Sequence, residues 1–319
     1  MPRALPVRRR GRARSSSPRI VVLGDLVVDA VVIPVRALDS GTDVPGRVAL
    51  RQGGSAATTA RWLARLGART TLVCAVGRDT FGRALVDVVE SDGVRVRATR
   101  VAGERTGRIG VVVAPGGERS FVADRAAADL LAPADLEASW LRADLLHLPA
   151  YSLLGDPLGQ AGRRAIELAR GAGALVSLDL ASVGPLLARG RRAAERLVRD
   201  TAPDVLFATR SEAEALLDSA FLGALTSFAP LVLVKQGKAG ATVMARDGES
   251  RLTFEVATRG LEAVDTTGAG DAFDAGFLVT WLEQPAALRS RPAGLRRAVL
   301  AAHRAAARQL ANPGRELSL

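Results

Sequence analysis

The chain has 319 residues, 48% of them hydrophobic and only 4% aromatic, which suits one large domain with a core built from Ala, Val and Leu. Its single cysteine, Cys74, excludes an intrachain disulfide and suits a reducing compartment, so the cytoplasm is the expected location, and two histidines with one cysteine are too few for a structural zinc site. The formal net charge of +11 points towards nucleic acid, yet seven basic residues crowd the first 19 positions and the rest of the chain holds 37 basic against 33 acidic residues, so nucleic acid is not the expected partner.

Residues 1–18 read as a disordered Arg-rich leader; the stretch lacks the apolar segment of a secretory signal. Binding to a polyanion through this leader is the competing reading, and it predicts a strongly salt-dependent affinity that vanishes on removal of residues 1–19. Residues 19–319 read as one domain. IVVLGDLVV is a predicted first strand, SAATTARWLARLG a helix, TLVCAVG a strand and TFGRALVDVVESDG a helix. ADLLHLP, ALVSLDL, DVLFAT and LVLVKQG read as further strands, with AGRRAIELARGAG, PLLARGRRAAERLVRD and SEAEALL as helices between them. This alternation predicts an α/β fold, a three-layer, Rossmann-like, mostly parallel sheet with helices on both faces. Residues 30–52 and 99–123 break the rhythm with short strands and Gly/Pro/Asp turns, and they predict a small β-sheet lid. That lid could equally be a dimer interface. No run reaches the roughly 18 apolar residues of a membrane span.

The chemistry concentrates in Asp265-Thr-Thr-Gly-Ala-Gly-Asp271, which is followed by the apolar helical run AFDAGFLVTWL. The amides of Gly268, Ala269, Gly270 and Asp271 then lie at a helix N-terminus, where unpaired N–H groups and the macrodipole attract an anion. Asp271 adds a carboxylate base at the rim of that site, and phosphoryl transfer to a hydroxyl needs both elements. Asp271 as a plain helix cap is the competing reading. Three further stretches keep this one company. Gly53-Gly54 precede another helix, Asp29 follows the first strand, and Gly77, Asp79 and Gly82 mark a third strand-to-helix turn.

On these residues the chain resembles the ribokinase-like (PfkB) family of carbohydrate kinases, from about Arg19 to Gly314, with Ala275-Gly276-Phe277 completing the family's second signature. The resemblance implies an ATP-dependent carbohydrate kinase that uses Mg²⁺ and, in many members, K⁺. Asp271 would be the base, and Gly268, Ala269 and Gly270 the anion hole. Asp29, Gly53, Gly54 and Thr58 would meet the sugar. Thr209, Lys235, Gly237, Gly240 and His303 would border ATP. Glu212 would organise Mg²⁺ through water, and Asp265 and Thr267 would bind the monovalent cation.

Departures fall on recognition positions. Thr58 stands where the family has a sugar-binding Asn, Thr209 begins the N-x-x-E pattern, and Ala126-Ala127-Ala128 replace a GAN-like segment. A small sugar is the expected acceptor. A nucleoside kinase and a non-catalytic ligand-binding member are the alternatives, and a sugar phosphate acceptor stays open. Lys235 as a solvent-exposed strand end, Asp274 as a simple partner for the helix dipole and His147 as a packed strand-end residue are the structural readings of those positions. Arg119 reads as a lid contact to substrate or a turn residue.

Overall fold

The computed structural model describes residues 17–114, 116, 118–218, 222–247, 250–260, 265–312, 314, 316 and 317; the leader up to residue 16 lies outside them, as does Val264. In chain order the elements are β1 (Arg19–Leu23), β2 (Val27–Pro34), β3 (Gly46–Gly53), α1 (Ser55–Arg65), β4 (Arg69–Gly77), α2 (Thr80–Ser91), β5 (Arg95–Val101), β6 (Thr106–Val113), β7 (Arg119–Ala126), β8 (Leu145–Pro149) and α3 (Tyr151–Leu154). There follow α4 (Leu158–Gly171), β9 (Leu175–Asp179), α5 (Val183–Leu187), α6 (Arg191–Thr201), β10 (Val205–Thr209), α7 (Arg210–Leu217), β11 (Leu231–Lys235), β12 (Ala241–Asp247), β13 (Ser250–Val256), α8 (Ala269–Glu283) and α9 (Pro292–Ala311).

Nine strands form the main sheet in the order β13-β12-β11-β10-β9-β8-β1-β4-β5. All its pairs are parallel except the two made by β12. Successive strand residues point to opposite faces, and in β1 Ile20 and Val22 enter one apolar core while Val21 and Leu23 enter the other. Burial on both faces is why these strands read as unbroken apolar runs. Helices α1, α2, α8 and α9 cover the first face, and α4, α6 and α7 the second.

A second sheet, in the order β3-β2-β6-β7, carries the residues predicted as a lid. The boundaries differ in two ways. The predicted first strand is two strands, β1 in the main sheet and β2 in the small one, because the chain changes sheets at Gly24-Asp25-Leu26. Both halves are apolar, so periodicity does not reveal the change. Residues 99–101 belong to β5 of the main sheet. The predicted long helix over PLLARGRRAAERLVRD is also two helices, α5 and α6, divided at Gly190, whose φ of 83° ends helical geometry.

Helix α8 is buried on nearly every side, as an apolar run without a polar face requires. Phe277 stacks on Trp281, with centroids 6.2 Å apart. A Cβ on Gly276 would lie 2.8 Å from Ala302 Cα, so the missing side chain lets α8 press against α9. That contact fixes the N-terminus of α8 at the carboxyl edge of the sheet. Cys74 is fully buried, and burial pushes its thiol up to about 12. Among the described residues no helix is long and apolar enough to cross a membrane.

Candidate active site

A cleft of about 1270 Å³ opens between the carboxyl ends of the main strands and the small sheet. Asp179 ends β9, Thr209 ends β10 and Lys235 ends β11. All three line the cleft, at the edge where open α/β sheets bind ligands.

The N-terminus of α8 forms one wall. Gly268 precedes the helix with a φ of 74°, a left-handed conformation that suits glycine. The first intrahelical bond runs from the Ala272 amide to the Gly268 carbonyl at 2.9 Å, and the Ala269 amide donates to Thr266 O at 3.3 Å. No side chain caps the helix, so its geometry leaves the Gly270 and Asp271 amides for an anion. Lys235 Nζ lies 3.3 Å from where a Gly270 Cβ would stand, which adds a full positive charge beside these amides. The Ser55 hydroxyl, from the start of α1, donates to Asp271 Oδ1 at 2.6 Å. Burial pushes the Asp271 carboxyl up to about 7; Ser55 and Lys235 pull against that shift and Asp179 adds to it.

Below this wall Lys235 Nζ donates to both carboxylate oxygens of Asp179 at 3.1 Å and to Asp274 at 3.2 and 3.4 Å. The reading of Lys235 as a solvent-exposed strand end is corrected, since its side chain is 11% exposed. Asp274 is likewise no surface partner for the helix dipole, because it is fully buried against the ammonium. Burial acts to lower the Lys235 ammonium, and Asp179, Asp274 and Glu212 outweigh it, so the group is pushed up. Asp274 is pushed well above its usual range, first by burial and then by Asp179. One ammonium thus faces three acids.

Opposite lies the acceptor end. Asp25, from the segment between β1 and β2, accepts from the Ala56 amide at 3.1 Å and from Arg125 Nη1 at 2.9 Å. Arg125 in turn covers the Tyr151 ring, 4.1 Å from its centroid. Asp29 is half-buried, and burial, then Asp25 and Asp265, push its carboxyl up to about 7. A Cβ on Gly53 would lie 1.9 Å from Asp29 Oδ1, and one on Gly54 would lie 2.5 Å from the Asp25 carbonyl. The two glycines therefore make room for the two acids. Gly53→Ala is expected to displace Asp29 and raise KM for the acceptor about tenfold or more, a loss of about one charge-assisted hydrogen bond, with KM for ATP little changed. Steady-state kinetics in each substrate checks this. Thr58 lines the same end, with Gln52 Nε2 3.5 Å from its hydroxyl.

The remaining predicted residues divide. Thr209 and Glu212 line the cleft and also form the capping box of α7, where the Thr209 amide donates to Glu212 at 2.7 Å. Burial and Asp179 raise the Glu212 carboxyl. Gly237 and Gly240 lie in the turn after β11, outside the residues lining the cleft. His303, on α9, packs 5.5 Å from Phe273, and both its ring nitrogens are buried without a partner. Its pKa is lowered by burial. Asp265 and Thr267 are held by Arg51 and Arg119, and Arg119 begins β7 of the small sheet, where it lines the cleft and is not a turn residue. His147 is packed as expected and shares a hydrogen bond with Ser177 at 2.9 Å.

Sequence reasoning passed over Ser55, Asp25, Asp179, Arg125 and Tyr151. An acid closing a buried strand, as in LVSLD, was the legible signal for Asp179; the others meet only in three dimensions.

The chain matches the pfkB family of carbohydrate kinases over residues 17–318. Fructokinase-2 of Solanum habrochaites is 33% identical over 279 residues, which is 83% of this chain and 82% of that protein. A fructokinase from Vibrio cholerae O395, solved with fructose, ADP and a calcium ion, superposes with a TM-score of 0.75 at 25% identity, covering 93% of this chain and 94% of that one. The adenosine kinase of Sinorhizobium meliloti superposes at 0.79 with 23% identity, over 95% and 97% of the two chains, and shows the shared fold. With a family match across nearly its whole length and a phosphate-ready helix terminus beside an acid, the chain belongs to the pfkB family and is an ATP-dependent carbohydrate kinase.

Proposed function

We propose that the protein phosphorylates a free hexose of the fructose type, with Asp271 as the base. The observation that carries this is Asp271 itself: half-buried, oriented by Ser55, and beside the Gly270 amide and the Lys235 ammonium. Asp271 takes the proton from the acceptor hydroxyl as its oxygen attacks the γ-phosphate. The Gly270 and Asp271 amides at the start of α8, with Lys235, receive the charge on the transferring group. Asp25 and Asp29 orient the sugar hydroxyls, since carboxylates accept from neighbouring hydroxyl pairs. The names of the similar fructokinases support a ketohexose. Arg125, tied up by Asp25 and Tyr151, supports a neutral sugar over a sugar phosphate.

Mg²⁺ is proposed to enter with ATP. Among the described residues no group of three or more His, Cys, Asp or Glu side chains is placed to hold a metal ion, and Mg²⁺ bound to phosphates needs only one or two protein carboxylates. Glu212 at the nucleotide end fits that role through water. When bound, the ion neutralises phosphate charge. The small sheet serves as a lid that excludes water, and the cytoplasm suits the single buried cysteine.

The lid is also proposed as a homodimer interface. Its face away from the cleft carries Val48 on one edge strand and Val122 on the other, 66% and 71% exposed, apolar exposure that favours a covering surface. Val48→Glu with Val122→Glu is expected to yield monomers on light scattering; a wild-type monomer would sink this.

Phe121, which lines the cleft from the lid, favours one second reading, stacking on a nucleoside base. ADP release from Mg·ATP over sugars, sugar phosphates and nucleosides decides between them. Turnover on a ketohexose is expected. Preference for a nucleoside would move the assignment, and ATP binding without turnover on any acceptor would make the chain a binding protein.

A further inference from the structure

The family resemblance implies a monovalent cation at Asp265 and Thr267. Such an ion needs oxygen lone pairs turned towards an unfilled space. Here each of those oxygens already accepts a hydrogen bond. Asp265 Oδ2 accepts from Arg51 Nη1 at 2.9 Å. Asp265 Oδ1 accepts from the Thr267 amide at 2.9 Å and stands 3.7 Å from Arg119 Nη1. The same Arg119 Nη1 donates to Thr267 Oγ1 at 2.7 Å. The Thr267 carbonyl accepts from Gln309 Nε2 at 2.9 Å.

Charge points the same way. The two arginine side chains are 15% and 16% exposed, so a further cation would meet two fixed positive charges with little water between them. Arg51 Nε is buried without a partner, so the spare group here is a donor and not an acceptor. Burial acts to raise the Asp265 carboxyl, yet the Thr267 hydrogen bonds and both guanidiniums hold it below its usual range. The residues do not fit the ion.

We propose that Arg51 and Arg119 stand in for the monovalent cation behind the Gly268–Gly270 loop, so that turnover requires none. A guanidinium does this without dissociating and stays charged at every working pH. Both arginines ride on the small sheet, Arg51 on β3 and Arg119 on β7. The charge that orders the loop therefore arrives with the lid, and Arg119 bonds the residue just before Gly268. An ion would instead reach the loop from solvent, independently of the lid.

The test compares wild-type protein in K⁺, Na⁺ and tetramethylammonium chloride at one ionic strength, by ADP release and by melting temperature. Rates within about twofold and equal melting temperatures are expected. A tenfold or larger rise in rate specific to K⁺, or a melting shift specific to millimolar K⁺, overturns the proposal, since a bound ion must stabilise the folded state. Arg119→Gln frees oxygens of Thr267 and Asp265, and is expected to lower the rate about tenfold and to acquire a K⁺-specific melting shift. A folded variant with wild-type rate and no such shift also overturns it. The inference rests on the anion-hole reading of the loop only for its rate arm. If no acceptor is phosphorylated, the kinase reading fails, and the melting comparison still decides the cation.

Discussion

Asp271→Asn is expected to lower kcat by about 10²- to 10⁴-fold, the contribution of a positioned general base, while leaving KM for ATP nearly unchanged. Asparagine keeps the shape and the contact to Ser55 but cannot take a proton. The wild-type pH profile carries the same information. Burial pushes the Asp271 carboxyl up to about 7, and a base works only when deprotonated. The rate should therefore fall about tenfold per pH unit below 7 and flatten above it, and the asparagine variant should lose that limb. Stability should move in the opposite direction. A carboxyl whose pKa is higher folded than unfolded favours the folded state most at low pH, and that contribution is lost as pH rises through 7. Removing the acid should stabilise the protein at pH 8 and change little at pH 5. The full shift corresponds to about 4 kcal/mol, but water in the open cleft screens the group, so a gain of about 1–2 kcal/mol is expected. Initial rates from pH 5 to 9 and urea unfolding at pH 5 and 8 check both halves. Full activity in the variant would remove Asp271 from the mechanism.

Lys235→Ala should be the most damaging substitution for the fold. It leaves Asp179, Asp274 and Glu212 facing one another around an empty space with no counter-charge. Breaking a buried ion pair on one side costs about 3–5 kcal/mol. The loss should be largest at pH 8, where the Asp274 and Glu212 carboxyls, both raised by burial, are pressed to ionise, and should shrink at pH 5, where those two hold protons more readily. Lys235→Met fills the space without the charge and should lose the same pH-dependent part. Catalysis should also fall in both, because the ammonium beside Gly270 is gone. Unfolding at the two pH values separates the charge from the packing; a pH-independent loss would show that the ammonium acts only by filling volume.

Much of this protein is legible in its primary structure. The strands and helices follow from period and apolar content, because a strand buried on both faces must be apolar throughout. The Gly268–Asp271 loop is legible as a candidate site because glycines at the start of an apolar helix expose amides to an anion, with Asp271 as a plain helix cap as the competing reading. Asp29 and Gly53-Gly54 are legible as candidates for the acceptor end, although the reason for the glycines is not. Gly53 makes room for the Asp29 carboxylate and Gly54 for the Asp25 backbone carbonyl, and no sequence pattern records a collision 1.9 Å away between residues 24 positions apart.

Tertiary structure decided the electrostatics. Lys235, Asp179 and Asp274 are dispersed over 95 positions; Lys235 and Asp274 read singly as a strand end and a helix-dipole partner, Asp179 was passed over, and the fold brings all three into one buried cluster. Arg51, Arg119 and Asp265 likewise come from three distant segments. Local sequence by itself determines backbone conformation and which faces are apolar, since those depend on neighbours in the chain. Charge pairing and proton affinity depend on distance and burial in space, and only the packed fold sets those.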